Sequence, residues 1–278
     1  MLRFTGLVKL RDYTPPIYQK STNQTISYTL KPNIQEKAFR SVIRTNSLGF
    51  RSSELEGEKQ TIAVLGDSII FGYGVENSET LPARLNELLP VYNVLNAGTP
   101  GYHIEQEAAL YKEKIKPLNP AALILVFYWN DFERSTSQLD DDNVLRAEGW
   151  QPQEKKCNPI QNGVLGVIPG KCWLDLHSAF YKGMKNYVNT KSGIQQRDKK
   201  RENATQGEVE EKITQEDLNR YSNTLQLIEK AIPRLFVIWP DSALHEEVRP
   251  KMRAIAESQG YKVLDLYDHF GNEMETLN

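Results

Sequence analysis

The chain has 278 residues, 39% of them hydrophobic and 25% charged, with a formal net charge of −2. That length suits one large domain with insertions or two small ones, and the near-neutral charge gives no electrostatic support for nucleic-acid or anionic-membrane binding. Every apolar run falls far short of the roughly 18 residues that a membrane helix requires.

Residues 1 to 60 are polar and turn-rich and predict an N-terminal extension over a core that begins near residue 61. From there short apolar runs alternate with helical patterns. Ile62 to Leu65 predicts a first strand. Thr80 is a helix cap, Pro82 fits a first turn, and Leu81, Leu85 and Leu88 share one face. Val91 to Leu95 predicts the second strand. Ile104, Ala108, Tyr111 and Ile115 mark a helix stopped by Pro117, and Ala121 to Trp129 predicts a third strand, apolar throughout as when both faces are covered.

The alternation then breaks. Residues 132 to 212 carry charge runs, a polar stretch from Gln195 to Lys212 and both cysteines, and predict an insertion or cap. Cys157 and Cys172 bracket a turn-rich segment, so a disulfide and two free thiols both fit. No Cys or His pair stands at metal-ligand spacing. The pattern resumes with Thr214 and Asp217 as a capping signal for a helix buried through Leu218, Tyr221, Leu225 and Ile228. Leu235 to Trp239 predicts a fourth strand, a helix ends at Gly260 with Pro250 marking a kink or late start, and Tyr261 to Tyr267 predicts a fifth strand. The fold class is α/β, a parallel five-stranded sheet with right-handed crossovers and helices on both faces, against a mixed α+β sheet as the alternative.

Chemistry concentrates at the strand ends. Gly66-Asp67-Ser68 closes the first strand, where open α/β sheets build their sites and a helix N-terminus favours negative charge. The block is not the Gly-x-Ser-x-Gly elbow, because Ile70 replaces the second glycine, and no Gly-Lys-Ser/Thr follows as in a P-loop. Asn96-Ala-Gly-Thr-Pro-Gly101 follows the second strand and allows close backbone approach to a ligand. Asn130 follows the third. Three consecutive strands therefore bring Ser68, Gly101 and Asn130 to one sheet edge: a hydroxyl nucleophile, a backbone N–H and an amide donor for an oxyanion. Each residue alone has a plainer reading as turn cap, turn glycine or strand-end amide.

With those residues in place the chain resembles the SGNH hydrolases, or GDSL esterases/lipases. The resemblance rests on Gly-Asp-Ser at 66–68 with the following Ile-Ile-Phe-Gly-Tyr-Gly-Val, Asn-Ala-Gly-Thr-Pro-Gly at 96–101 and Tyr-Trp-Asn-Asp at 128–131, with Asn46-Ser-Leu-Gly-Phe-Arg51 as a lead-in. It covers residues 28–131 well and 173–270 loosely. It implies a flavodoxin-like α/β/α sandwich, no cofactor, Ser68 as nucleophile, and an oxyanion hole from the Ser68 and Gly101 N–H groups and the Asn130 side chain. Implied substrates are small acyl or acetyl esters, carbohydrate esters among them. An O-acyltransferase acting on a saccharide would use the same acyl-enzyme.

The family's closing Asp-x-x-His block does not match. The expectation is that this segment and a last helix lie beyond residue 278. The alternatives are an unusual base, His245 with Asp241 or His269 near Asp265 and Asp268, and a binding protein without one. His103 reads as a surface or capping residue and His177 as structural. A cytoplasmic address is the literal reading of the N-terminus; an extracytoplasmic or membrane-anchored one follows if the sequence starts after an anchor. Asp140-Asp141-Asp142 reads as a solvated turn, and Asn23 and Asn203 match the glycosylation pattern. Trp129 and Tyr102 would pack the core or line an acyl pocket.

Overall fold

The computed structural model describes residues 14–132, 137–147, 169–178, 180–181, 184, 213–228, 230–241 and 245–270. The chain forms two compact units, one from Met1–Thr14 and Gly149–Lys212, the other from Pro15–Glu148 and Ile213–Asn278. In the first, helix α4 (Lys171–His177) follows Gly170, and the His177 ring stacks on Trp173 with centroids 5.0 Å apart. Cys157 and Asn203 fall outside the described residues.

In the second unit β1 (Tyr18–Lys20) and β2 (Tyr28–Leu30) form an antiparallel pair, as do β3 (Gln35–Ala38) and β4 (Ser41–Arg44). The central sheet follows. It comprises β5 (Gln60–Gly66), β6 (Tyr92–Gly98), β7 (Ala122–Phe127), β10 (Arg234–Ile238) and β11 (Lys262–Asp265), all parallel, in the order β11-β10-β7-β5-β6. Between β7 and β10 a short antiparallel pair, β8 (Ser137–Leu139) and β9 (Leu145–Ala147), carries the Asp140 turn. There Asp140 Oδ1 accepts the N–H groups of Asp142 and Val144, an Asx turn.

Strand alternation sorts the core into two layers. Ala63, Leu65, Leu95, Ala97, Leu123, Leu125, Phe127, Phe236 and Ile238 belong to one apolar cluster, and Val64, Val94, Val126 and Val237 to another. Successive strand residues point to opposite faces, so both faces of the sheet are apolar. The first is covered by α3 (Ile104–Leu110), α5 (Gln215–Leu225) and α6 (Arg249–Ser258), the second by α2 (Leu81–Leu88). This is the α/β architecture expected from the alternation.

Local signals act as predicted. Thr80 caps α2 by accepting from the Ala83 N–H, and Thr214 and Asp217 form a reciprocal capping box on α5. Pro250 stands in the first turn of α6, a late helix start rather than a kink. The helix over Ile104 to Ile115 is not α throughout: a π turn runs over Tyr111–Ile115 before Pro117. The fifth strand is shorter than its apolar run, because Tyr267–Phe270 turns into a helical segment, α7. Among the described residues, no helix is long and apolar enough to cross a membrane.

Residues 17 to 51 contribute to the same core. Ile17, Ile26, Tyr28, Leu30, Ile43 and Phe50 are buried in the larger cluster. Arg51 is buried as well, and its guanidinium donates to the carbonyls of Phe71, Gly72 and Val75 and to Asn77 Oδ1. Phe71 and Gly72 lie where a short helix ends and carbonyls lack intrahelical partners, and charge-assisted bonds to them are strong.

Candidate active site

β5 ends at Gly66, and α1 (Ser68–Phe71) starts two residues later with Asp67 as its N-cap. The Asp67 carboxylate makes three bonds. Oδ1 accepts the Ile69 N–H at 2.8 Å, and Oδ2 accepts the Ser68 hydroxyl at 3.3 Å and the Asn130 side-chain amide at 2.9 Å. One buried carboxylate thus caps the helix that presents Ser68 and holds Ser68 and Asn130 together. A cap is the plain reading of an Asp-Ser pair in a turn; the bridge depends on a partner 63 residues away.

The second strand end meets the first through Gly98, in register with Gly66, and the Thr99 N–H donates to the Gly66 carbonyl at 3.1 Å. Gly98 has no room for a side chain: an added Cβ would lie 2.2 Å from the Phe71 nitrogen. The loop continues to Gly101, held at φ +80°. That left-handed conformation favours glycine, and a Cβ there would lie 2.9 Å from the Tyr28 hydroxyl. The same hydroxyl donates to the Pro100 carbonyl at 2.7 Å, and the Tyr102 hydroxyl donates to the Tyr28 carbonyl. The turn that aims the Gly101 amide is therefore braced by the N-terminal hairpin. Tyr102 is buried core rather than a pocket wall.

The third strand end closes as a short turn over Trp129–Phe132. Asp131 clamps it, donating its N–H to the Tyr128 carbonyl at 2.9 Å and accepting the Tyr128 N–H on Oδ2 at 3.1 Å. Trp129 lies flat on His245 with centroids 3.6 Å apart, and its indole N–H donates to the Tyr267 hydroxyl at 2.9 Å. Among the described residues, the Ser68 and Gly101 N–H groups have no protein acceptor.

The histidines are engaged elsewhere. His245 Nε2 lies 3.0 Å from both Asp241 oxygens, and the Tyr267 hydroxyl also donates to Asp241. His269 Nδ1 lies 3.3 Å from the Asp265 carbonyl oxygen, while the Asp265 carboxylate is occupied by Arg249, Arg253 and the Tyr267 N–H. His103 occupies the N-cap position of α3, without a side-chain cap bond, but it is not a surface residue: it is 5% exposed, with Nδ1 2.7 Å from Glu105 Oε2. Among the described residues, no histidine hydrogen-bonds Ser68 Oγ.

Two carboxyls to which the sequence assigned no role act electrostatically on each other or on Asp67. Glu107 on α3 and Asp131 are both fully buried, and among the described residues neither Glu107 oxygen nor Asp131 Oδ1 has a hydrogen-bond partner. Burial raises both pKa values well above the usual carboxylate range; Asp67 and Glu105 raise that of Glu107 further, and Glu107 and Asp67 that of Asp131. Tyr221, which faces both carboxyls, is likewise raised by its burial and by their charge.

A carboxyl whose pKa is higher in the folded state favours folding most below about pH 4, where the unfolded chain is protonated too, and stability falls as pH rises toward the folded-state value. The slope is about 1.4 kcal/mol per pH unit for each retained proton. Glu107→Gln keeps the shape and removes one titrating group, so its urea midpoints are expected to decline less steeply than the wild type's between pH 5 and 9. Equal slopes would show that Glu107 is ionised in the fold.

A polar groove of about 760 Å³, lined by residues including Arg44, Asn46, Asn77, Asn86 and Asn93, contains none of Ser68, Gly101 and Asn130. Its asparagines are engaged within the fold, as when Asn93 bonds the Glu56 and Lys59 carbonyls. Among the described residues, no group of three or more His, Cys, Asp or Glu could hold a metal ion.

No protein-family model and no curated protein matches the chain. Solved structures that resemble it include AlinE4, an SGNH-hydrolase family esterase, at 16% identity, covering 80% of this chain and 85% of that one with a TM-score of 0.38. A putative lipolytic protein of the G-D-S-L family from Desulfitobacterium hafniense matches at 12% identity, 76% and 79% coverage and TM-score 0.36. A variant of Axe2, an acetyl-xylooligosaccharide esterase from Geobacillus Stearmophilus, matches at 14%, 79% and 82%, and 0.38.

Proposed function

We propose that the chain is a serine ester hydrolase of the SGNH/GDSL type that cleaves a small acyl or acetyl ester through an acyl-Ser68 intermediate. The carrying observation is the Asp67 carboxylate, which holds the Ser68 hydroxyl and the Asn130 amide on its Oδ2. In the reaction, Ser68 Oγ bonds to the ester carbonyl carbon, and the carbonyl oxygen becomes an oxyanion facing donors from Ser68, Gly101 and Asn130. The carbon–oxygen bond then breaks, and the departing oxygen takes up the proton that left Ser68, so that the alcohol is released. Water cleaves the acyl-serine, releasing the acid and restoring the hydroxyl. A base must take the Ser68 proton; His103, His245 and His269 are committed to Glu105, Asp241 and the Asp265 carbonyl.

The test is covalent labelling. Full-length protein treated with a fluorophosphonate and mapped by peptide mass spectrometry is expected to carry one adduct, on Ser68. An unlabelled Ser68 in folded protein would overturn the assignment.

A further inference from the structure

The two outer donors of the site, the Gly101 amide and the Asn130 side chain, lie on separate loops that follow different strands. A single side chain on a third element reaches both supports. Arg220 on α5 donates through Nη1 to Glu105 Oε1 and through Nη2 to the Phe132 carbonyl, the latter at 2.7 Å. Glu105 stands one helical turn after Gly101, in the first turn of α3, and Phe132 closes the turn that carries Asn130. The guanidinium fork has the fixed, planar geometry needed to serve two acceptors at one spacing.

Its own position is firmly set. Next in sequence, Tyr221 is fully buried and packs edge-on to Phe127 at 5.4 Å and against Phe132 at 5.6 Å. Glu105 is likewise not free to wander, because its other oxygen is held by His103. Burial pushes the Glu105 carboxyl up, but the bonds from His103 and Arg220 outweigh it and keep it below the usual range.

We propose that Arg220 is a positioning residue that fixes the spacing between the Gly101 loop and the Asn130 turn. Its catalytic consequence rests on the esterase reading; its structural consequence does not. The experiment therefore has two arms. Hydrogen–deuterium exchange on the full-length protein reads residues 98–106 and 127–132, and steady-state hydrolysis of p-nitrophenyl acetate reads the chemistry.

In Arg220→Ala both segments are expected to exchange at least about tenfold faster, since losing both bonds lets each open locally. kcat is expected to fall about 10- to 100-fold, with KM within about twofold, because a displaced donor affects the transition state more than substrate binding. Added guanidinium at millimolar concentration is expected to restore part of kcat. Arg220→Lys, which can hold one acceptor at a time, should lie between and decides the matter if the alanine variant does not fold. Unchanged exchange in both segments overturns the proposal, whatever the activity. Arg220 acting only as a counter-charge to Glu105 would shift the pH profile and leave the Asn130 turn protected. If wild-type protein hydrolyses no ester, the esterase reading fails and exchange alone decides the role of Arg220.

Discussion

Ser68→Ala is expected to lower p-nitrophenyl acetate turnover by at least about 10³-fold while leaving the fold intact, because loss of a nucleophile leaves only the catalysis due to binding and the oxyanion donors. The structural reason for expecting intact fold is specific. The hydroxyl makes one bond among the described residues, a 3.3 Å contact to Asp67, while the helix cap from Asp67 to the Ile69 N–H and the Asp67–Asn130 bond do not involve it. The unfolding free energy from urea denaturation should stay within about 0.5 kcal/mol of wild type. Asn130→Ala supplies the contrast. It keeps the nucleophile and removes one donor, so kcat should fall about 10²- to 10³-fold. If Ser68→Ala and wild type hydrolyse the ester equally, acyl transfer does not pass through Ser68.

Gly98→Ala is expected to destabilise the protein by about 3 kcal/mol or more, a large share of the 5–15 kcal/mol that holds an ordinary domain together. The new methyl carbon would sit 2.2 Å from the Phe71 nitrogen and 2.6 Å from the Ile70 carbonyl carbon. Both are backbone atoms of α1, so no rotamer change relieves the clash. Either α1 lifts from β6 or the sheet edge shifts. Lifting α1 moves Ser68 with it and strains the bonds from Arg51 to Phe71 and Gly72. Denaturation and activity should thus fail together in this variant, whereas they separate in Ser68→Ala. A wild-type urea midpoint for Gly98→Ala would show that the helix and strand do not meet as described.

The central sheet was legible because its signals are local. The inner strands are buried on both faces, so the runs at 62–65, 121–129 and 235–239 stand out as apolar stretches, and capping residues such as Thr80 and Thr214 act within three positions of themselves. Ser68, Gly101 and Asn130 could be placed at one edge because parallel topology aligns strand ends. What could not be read depends on distant partners. The strands β1 to β4 have only three or four residues each and little apolar run to detect. Glu107 and Asp131 look like surface carboxylates until the layers covering them are known. Arg51 stands in the sequence only as the end of a lead-in motif and Arg220 as an ordinary charge, since the bonds that define each go to distant backbone carbonyls and, for Arg220, to Glu105. The place of His103 at a helix start could be read, but not its burial, because Glu105 meets it inside.

The bond from Trp129 to Tyr267 spans 138 residues of chain, and it has a bearing on the order of assembly. Contacts this distant in sequence form late, since the loop must close before they contribute. At a synthesis rate of roughly 5–20 residues per second, the ribosome needs roughly 7–28 s to make the residues that separate them. During that interval Ser68 and the Gly101 loop have already emerged, but the Asn130 turn lacks the support of its indole. The Asn130 turn therefore gains this support only once Tyr267 has been made, after Ser68 and the Gly101 loop.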